Sequence, residues 1–598
     1  MRFIRLLSVW FSTLLGACIN VPEVEAVPEH PDSGTPSPTV SLTLSRAVTN
    51  SDVVVRASVS GGAPDTVELL VNGVVVAQLA PPHELRWSTH ALDEGTHTFA
   101  VKAAVGERTF VSEAKSLVVD RTAPRLVQQM PLPGTRTVSV RQTIQAVFSE
   151  ALDPGTVTLD SVALLSDGSE IAAVPRLSSD GASLELELEE ALPVDTVMSV
   201  RLAASLTDLA GNAVALPAEA WEWTAPGYLS LGAAVSSAPE ELETAQFASL
   251  AVDADEQPVV AYVNGSIRQL LGVYVKRWNG SSWQPVGEVL GESGYGAYVS
   301  NATLRIPNGH APLVAWLQSV SGSPISAHVR RWENGAWNAV GAPVTPLMES
   351  ASVDFFAFDA NAGGVMAMAL REYRGGQSQV SVWHWDGVAW AALGGALKVN
   401  PTWLVNGVAL MLDTTGRPVV LWGETGPDQN AQVYIQRWNG TGWEFQVPPL
   451  TGLFRGVALD ASDSLIRVGA AQNSDGALDA LVFRFDGSSW VRMGNRVGGL
   501  FPGTTDTVIS MLGIDKGGDT VVLLSEPEFA GEPEVSYVQR WDGAAWSPVG
   551  GLLRPQPGRV PLYSRVAMNE LGQSVLARIE AIGGDFNHTH LYVYRSNN

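Results

Sequence analysis

The sequence predicts an all-β protein, with two small β-sandwiches ahead of a seven-bladed β-propeller of four-stranded blades. Three observations carry that expectation. Glycine (58 residues) and tryptophan (19) are abundant while charged residues make up only 16% of the chain, so short apolar runs are punctuated by turn formers. The stretch Arg540-Trp541-Asp542-Gly543-Ala544-Ala545-Trp546 has five relatives upstream. The N-terminal third breaks into strand-length alternating runs separated by Gly, Asn and Pro. At 598 residues the chain is too long for one hydrophobic core, so several domains are expected.

The first residues read as an export signal. Met1-Arg2-Phe3-Ile4-Arg5 is basic, and Leu6 to Leu15 is mostly apolar but too short to span a bilayer as a helix. Leu15-Gly16-Ala17-Cys18 resembles a bacterial lipobox. The resemblance implies a lipoprotein: residues 1–17 form a signal peptide, cleavage falls between Ala17 and Cys18, and Cys18 carries the lipid anchor to the membrane. Cys18 is the sole cysteine, in keeping with a lipidated rather than a free thiol in an oxidising compartment. Ile19 follows it where an inner-membrane retention signal would place Asp, which points to the outer membrane or cell surface. Residues 18–38 are Pro-rich, acidic and aperiodic, and read as an extended linker.

Residues 39–121 contain about seven short strand signals, the spacing of an immunoglobulin-like sandwich. Val67-Glu68-Leu69-Leu70-Val71 meets Val74-Val75-Val76-Ala77 across Asn72-Gly73, a dipeptide suited to a type I′ turn. With no cysteine pair the core must rest on packing, and Trp87 is the expected large core residue. Leu70-Val71-Asn72-Gly73 and Gly95-Thr96-His97-Thr98 resemble the Ig-like domains of bacterial surface proteins. Residues 122–226 resemble the SbsA-type Ig-like domain at Pro131-Leu132-Pro133-Gly134, Ala146 to Pro154, Asp208-Leu209-Ala210-Gly211-Asn212 and Trp221-Glu222-Trp223-Thr224. Ser149-Glu150 with Asp153 offers carboxylates for a metal, but a polar-capped turn accounts for them better.

Residues 228–598 repeat. Trp278, Trp332, Trp385, Trp438, Phe485 and Trp541 follow one another at intervals of 54, 53, 53, 47 and 56, and one further step of 53 reaches Tyr594. A period near fifty with four strand signals per unit predicts propeller blades. The last unit runs out after its third strand, and Tyr228-Leu229-Ser230-Leu231-Gly232 matches Trp283 to Gly287 in spacing. Seven blades closed by strands from both ends are therefore expected, which removes two free sheet edges. The Trp-x(4)-Trp spacing resembles strands three and four of kelch repeats, though the kelch Gly-Gly doublet is missing where Ala261-Tyr262 and Leu421-Trp422 stand.

The expected function is interaction. A net charge of −24 excludes a nucleic-acid partner. Trp283, Trp337, Trp390, Trp443, Trp490 and Trp546 hold one register and are expected between blades rather than on a sugar. His588 and His590 share a strand face with no third ligand in sequence, so no metal site is assigned. No nucleophile elbow, zinc-protease motif or phosphate loop is present, and neither catalytic residues nor a cofactor are expected. The expectation is a surface-anchored, non-catalytic lipoprotein whose Ig-like modules form a stalk. Its protein or glycan ligand would sit on the propeller face where the connections differ between repeats. A lectin-like propeller, or an extracellular polysaccharide hydrolase or lyase, are the alternatives.

Overall fold

A computed structural model describes residues 37–236, 244–265, 272–291, 298–307, 311–320, 323–451, 456–472, 478–498, 500–501, 508–515, 517–529 and 531–598. Ala17, Cys18 and nearly all of the expected linker lie outside them. Strands dominate, and the described helix is a single 3-10 turn at Pro154–Thr156. The chain forms two compact units, Met1–Pro124 with Thr207–Val214, and Arg125–Leu206 with Ala215–Asn598.

In the first unit, Thr39–Leu44, Val53–Ser60 and Glu84–Trp87 form one sheet. Thr66–Val71, Val74–Gln78, Gly95–Val105 and Lys115–Val119 build the other, with shorter strands at its margins. Alternation buries Val53, Val55, Leu69, Val101 and Leu117 between the sheets. Asn72 (φ 51°) and Gly73 (φ 80°) form the expected turn joining Val71 to Val74. The large core residue is Phe99, not Trp87: Phe99 is fully buried and Trp87 stands half-buried, edge-on to it at 5.3 Å. The strand ending at Trp87 is a sheet edge, so one flank of its indole stays open.

The second unit begins with another pair of four-stranded sheets. One orders Leu126–Met130, Ile144–Phe148, Ser183–Leu188 and Ala173–Leu177; the other orders Ser169–Ile171, Val162–Ser166, Thr196–Leu202 and Glu222–Ala225. Trp223 is buried, and Trp221 donates its indole N–H to the Pro131 carbonyl at 2.7 Å.

Among the described residues seven antiparallel four-strand units follow; the first and seventh are joined in one eight-stranded sheet by a parallel Thr244–Thr589 bridge, and the fourth carries an extra short strand, Leu450–Thr451. The first comprises Thr244–Val252, Pro258–Gly265, Gly272–Trp278 and Trp283–Pro285. Sheets two to six repeat this order and open with Tyr298–Arg305, Ser352–Ala360, Leu404–Leu412, Val457–Leu459 and Val508–Ile514. The seventh takes Arg559–Met568, Ser574–Ile582 and Asp585–Ser596 from the C-terminal end, and its fourth strand is Tyr228–Ser230. Second strands such as Pro258–Gly265 and Pro418–Thr425 are almost wholly buried, as continuous apolar runs between two neighbours must be. Apolar clusters fill the gap between each sheet and the next, and a further cluster of Val235, Tyr262, Ile579 and Leu591 joins the seventh to the first.

The register corrects one expectation. Trp278 pairs with Trp283, but Tyr228 pairs with Ser596, so Ser596 and not Tyr594 takes the first-aromatic position in the last repeat. Tyr594 lies two residues earlier, buried. Asn597 then falls where the other repeats start a hairpin turn, and its side chain is used differently. It accepts from the Val140 N–H and donates to the Val138 and Pro226 carbonyls, all at 2.9 Å. Asp195 accepts from the N–H groups of Gly227 (3.0 Å) and Leu552 (2.9 Å). These contacts fasten the second sandwich to the seven-sheet array.

Candidate functional site

The recurring hairpin is consumed by architecture. In five of the repeats the second Trp reaches into the previous sheet and donates its indole N–H to a carbonyl there: Trp283 to Leu231, Trp337 to Val286, Trp390 to Val340, Trp443 to Leu393 and Trp546 to Met493, at 2.7–3.1 Å. The paired aromatics of each hairpin stand 5.3–5.6 Å apart. Gly341 (φ 74°) lies beneath Trp385 and Trp390, where a Cβ would come within 2.5 Å of an indole carbon. The residue after the first aromatic closes the turn, as Asn279, Asp386, Asn439, Asp486 and Asp542 each accept two backbone N–H groups. Amides of Ser489 and Ser488 hold the Asp486 carboxyl down at about 2. The Arg of the motif is also engaged. Arg277, Arg484 and Arg540 pair with Asp253, Asp460 and Asp515 of the turn between strands one and two, at 2.5–2.8 Å.

The opposite end holds a second repeated device that sequence reasoning missed. Near the end of each second strand stands Asn264, Gln318, Glu372, Glu424, Gln472, Glu526 or Glu580. The glutamates are buried and hold the chain arriving from the previous sheet. Glu372 accepts from the Leu347 and Met348 N–H groups, both at 2.8 Å, and Glu424 from those of Val399 (2.7 Å) and Asn400 (2.8 Å). Glu526 accepts from the Leu500 N–H and the Tyr537 hydroxyl. Glu580 forms a fully buried ion pair with Arg578 at 2.7 Å. A row of carboxylates is thereby withdrawn from chemistry and spent on fixing loops.

What remains free lies around the inner strands on this loop end. The first strand bulges in sheets one, two, three, four, six and seven. A bulge re-aims the side chains beside it. Immediately after the bulge, Phe355 in sheet three and Tyr563 in sheet seven occupy the same register and are 46% and 63% exposed. Tyr298 and Tyr373 are also exposed, on sheets two and three. The Arg371 guanidinium lies over the Phe355 and Tyr373 rings at 5.4 and 5.9 Å and pairs with Asp354. Connections between strands two and three range from the two-residue turns Gly375-Gly376 and Gly583-Gly584 to longer loops.

First strands of five sheets enclose a cavity of about 280 Å³. Its polar lining is Ser249, Asn301, Thr303, Arg305 and Arg565, with Leu250, Phe356, Met511 and Val566 as apolar wall. Among its described lining residues there is no carboxylate and no histidine.

The other residues weighed from sequence fall elsewhere. Asp153 caps the Pro154–Thr156 turn by accepting from the Gly155 N–H at 2.9 Å, and Ser149 accepts from the Arg125 N–H. His588 contacts Asp585, and His590 lies near the Tyr592 ring. Among the described residues, no three-ligand cluster includes either histidine.

Residues 120–225 match the family model of a bacterial Ig-like domain, and residues 38–101 that of a bacterial Ig domain. The chain thus carries bacterial Ig-like domains in its N-terminal part. No curated protein matches it. Among solved structures, a protein of unknown function from Dyadobacter fermentans is 11% identical over 62% of this chain and 99% of its own, with a TM-score of 0.35. An ulvan lyase from a new polysaccharide-lyase family is 11% identical over 59% and 94%, with a TM-score of 0.39. The Aleuria aurantia lectin is 13% identical over 52% and 98%, with a TM-score of 0.30. At such scores these likenesses carry no argument about activity.

Proposed function

We propose that this chain is a lipid-anchored, surface-exposed bacterial binding protein. Its seven sheets are the blades of a closed, kelch-like β-propeller, and its Ig-like domains are the stalk. One observation carries the reading. The repeated side chains at both ends are used internally, while the side chains that differ between sheets, Tyr298, Phe355, Tyr373 and Tyr563, stay exposed on the loop end. An exposed aromatic set beside irregular loops favours recognition of a protein or glycan over catalysis. Ring closure is supported by the apolar cluster between sheets seven and one and by Tyr228–Ser230 completing the seventh sheet. Cys18 anchors the protein at the outer membrane or cell surface, with Ala17 as the last residue removed.

A glycan ligand is the more specific reading, supported by the equivalent positions of Phe355 and Tyr563 beside the cavity-lining strands. Glycan-array binding by the full chain, lost in Phe355→Ala or Tyr563→Ala, is the expected result; silence across a broad array leaves only the protein-ligand form. Fatty-acid labelling that persists in Cys18→Ser would refute the anchor.

A further inference from the structure

The cavity enclosed by the first strands contains two guanidinium groups, of which Arg305 is paired with a carboxylate just outside the lining and Arg565, among the described residues, is not. Arg305, from sheet two, spends its Nε–H on Asp359 at 2.9 Å and one Nη1–H on its neighbour's carbonyl. Arg565, from sheet seven, donates through Nη1 to the Ser564 carbonyl at 3.0 Å and has no acidic partner among the described residues. Other arginines of the seven-sheet array are neutralised. Arg277, Arg417, Arg484, Arg540, Arg554 and Arg578 each hold a carboxylate within 3.0 Å. On a chain of net charge −24 carboxylates are plentiful, yet among the described residues none pairs with Arg565.

Arg565 is exposed on the strand Arg559–Met568, so its guanidinium can be reached from solvent. The planar fork of a guanidinium is shaped for a carboxylate. Ser249, Asn301 and Thr303 supply neutral hydrogen-bonding groups around it, and Phe356, Leu250 and Val566 supply an apolar wall. Tyr563 precedes Arg565 by two residues, so both side chains leave the strand on one side, and its ring is 63% exposed. Something entering past Tyr563 meets a stacking surface first and a cation about one residue pair further along the strand. A volume of about 280 Å³ is at the small end of ligand sites and suits about one sugar ring rather than a long polyanion.

We propose that this cavity is an oxyanion site that takes the carboxylate of an acidic sugar, with Arg565 as the main cation, Arg305 as the second and Tyr563 as the stacking platform. The inference rests on the glycan form of the proposed function and is independent of the lipid anchor.

Calorimetric titration of the full chain with glucuronate, glucose and inorganic sulfate tests it. Glucuronate should bind with glucose failing to, and Arg565→Gln should weaken glucuronate on the order of tenfold to a hundredfold, the loss typical of a charge-assisted contact. Arg565→Lys, which keeps the charge but not the fork, should retain an intermediate affinity. Unfolding midpoints of the variants must match the parent, which separates loss of the site from loss of the fold. Sulfate binding without glucuronate binding would overturn the sugar assignment. Equal affinities for glucuronate and glucose, or an Arg565→Gln protein that binds glucuronate normally, would overturn the oxyanion site. Array binding of neutral glycans alongside calorimetric silence toward glucuronate would refute this inference while leaving the binding reading intact.

Discussion

Replacing Glu424 by Ala strips the fourth sheet of the anchor for its incoming chain. The carboxylate accepts from Val399 N–H (2.7 Å), Asn400 N–H (2.8 Å), the Asn400 side-chain amide (2.9 Å) and the Trp422 indole (2.9 Å). It is fully buried, so water cannot replace it without opening the sheet. Leaving a buried donor unsatisfied costs about 1–3 kcal/mol, and four donors sharing one acceptor are not additive once the loop relaxes. A loss of ~3–5 kcal/mol in unfolding free energy is expected, the range for breaking a buried charged network. Glu424→Gln keeps the volume and one acceptor oxygen and should lose roughly half as much. Urea unfolding followed by tryptophan fluorescence reads the stability, and amide exchange at Val399 and Asn400 reads the local effect. A loss below about 1 kcal/mol with unchanged protection at both amides would refute the anchoring role.

Three other perturbations test separate parts of the fold. Gly341→Ala places a Cβ at φ 74° against the Trp385 indole and should destabilise by ~3 kcal/mol, visible as a lower urea midpoint and altered tryptophan emission; an unchanged midpoint would contradict the close packing. Asp486 has a folded-state pKa depressed to about 2, so its stabilisation is complete above the ordinary carboxyl range and is lost as pH falls through that value. Asp486→Asn, the residue native at Asn279 and Asn439, should therefore keep the turn and remove the titration. The urea midpoint of the parent should fall relative to the variant between pH 4 and pH 2, and a constant difference would argue against the Asx cap as the cause. Asn597→Ala removes three hydrogen bonds to the second sandwich and should raise amide exchange at Val140 without altering exchange at Val399.

Much of the architecture is written in the hairpin. Trp-x(4)-Trp fixes two strands and the turn between them, and the glycine four residues beyond the second Trp, as in Gly287, Gly341 and Gly394, is there because the next sheet's tryptophans pack over it. The step to Tyr594 erred because it followed aromatic identity rather than strand register. Ser596 needs no aromatic ring, since its partner strand comes from the other end of the repeat array and brings Tyr228. The polar residues from Asn264 to Glu580 also keep the repeat period, so their position was legible. Their role was not, because the N–H groups they hold belong to loops about 25 residues earlier with no sequence pattern of their own. The cavity arginines were invisible for a deeper reason. Arg305 and Arg565 come from different repeats at different registers, and only folding brings them to one space.

The binding reading and the cavity proposal depend on the seven sheets closing on themselves, because an open arc would have no continuous loop face and no cavity lined by both the first and the seventh sheet. Leu229 and Arg595 stand directly opposite each other where the two ends of the repeat array meet. In a Cys18→Ser background, Leu229→Cys with Arg595→Cys supplies the chain's two cysteines. The closed ring predicts a spontaneous disulfide in the folded monomer and a stabilisation of ~5 kcal/mol, as expected for closing a loop of several hundred residues. Free thiols under oxidising conditions, or cross-links found only between molecules, would contradict it.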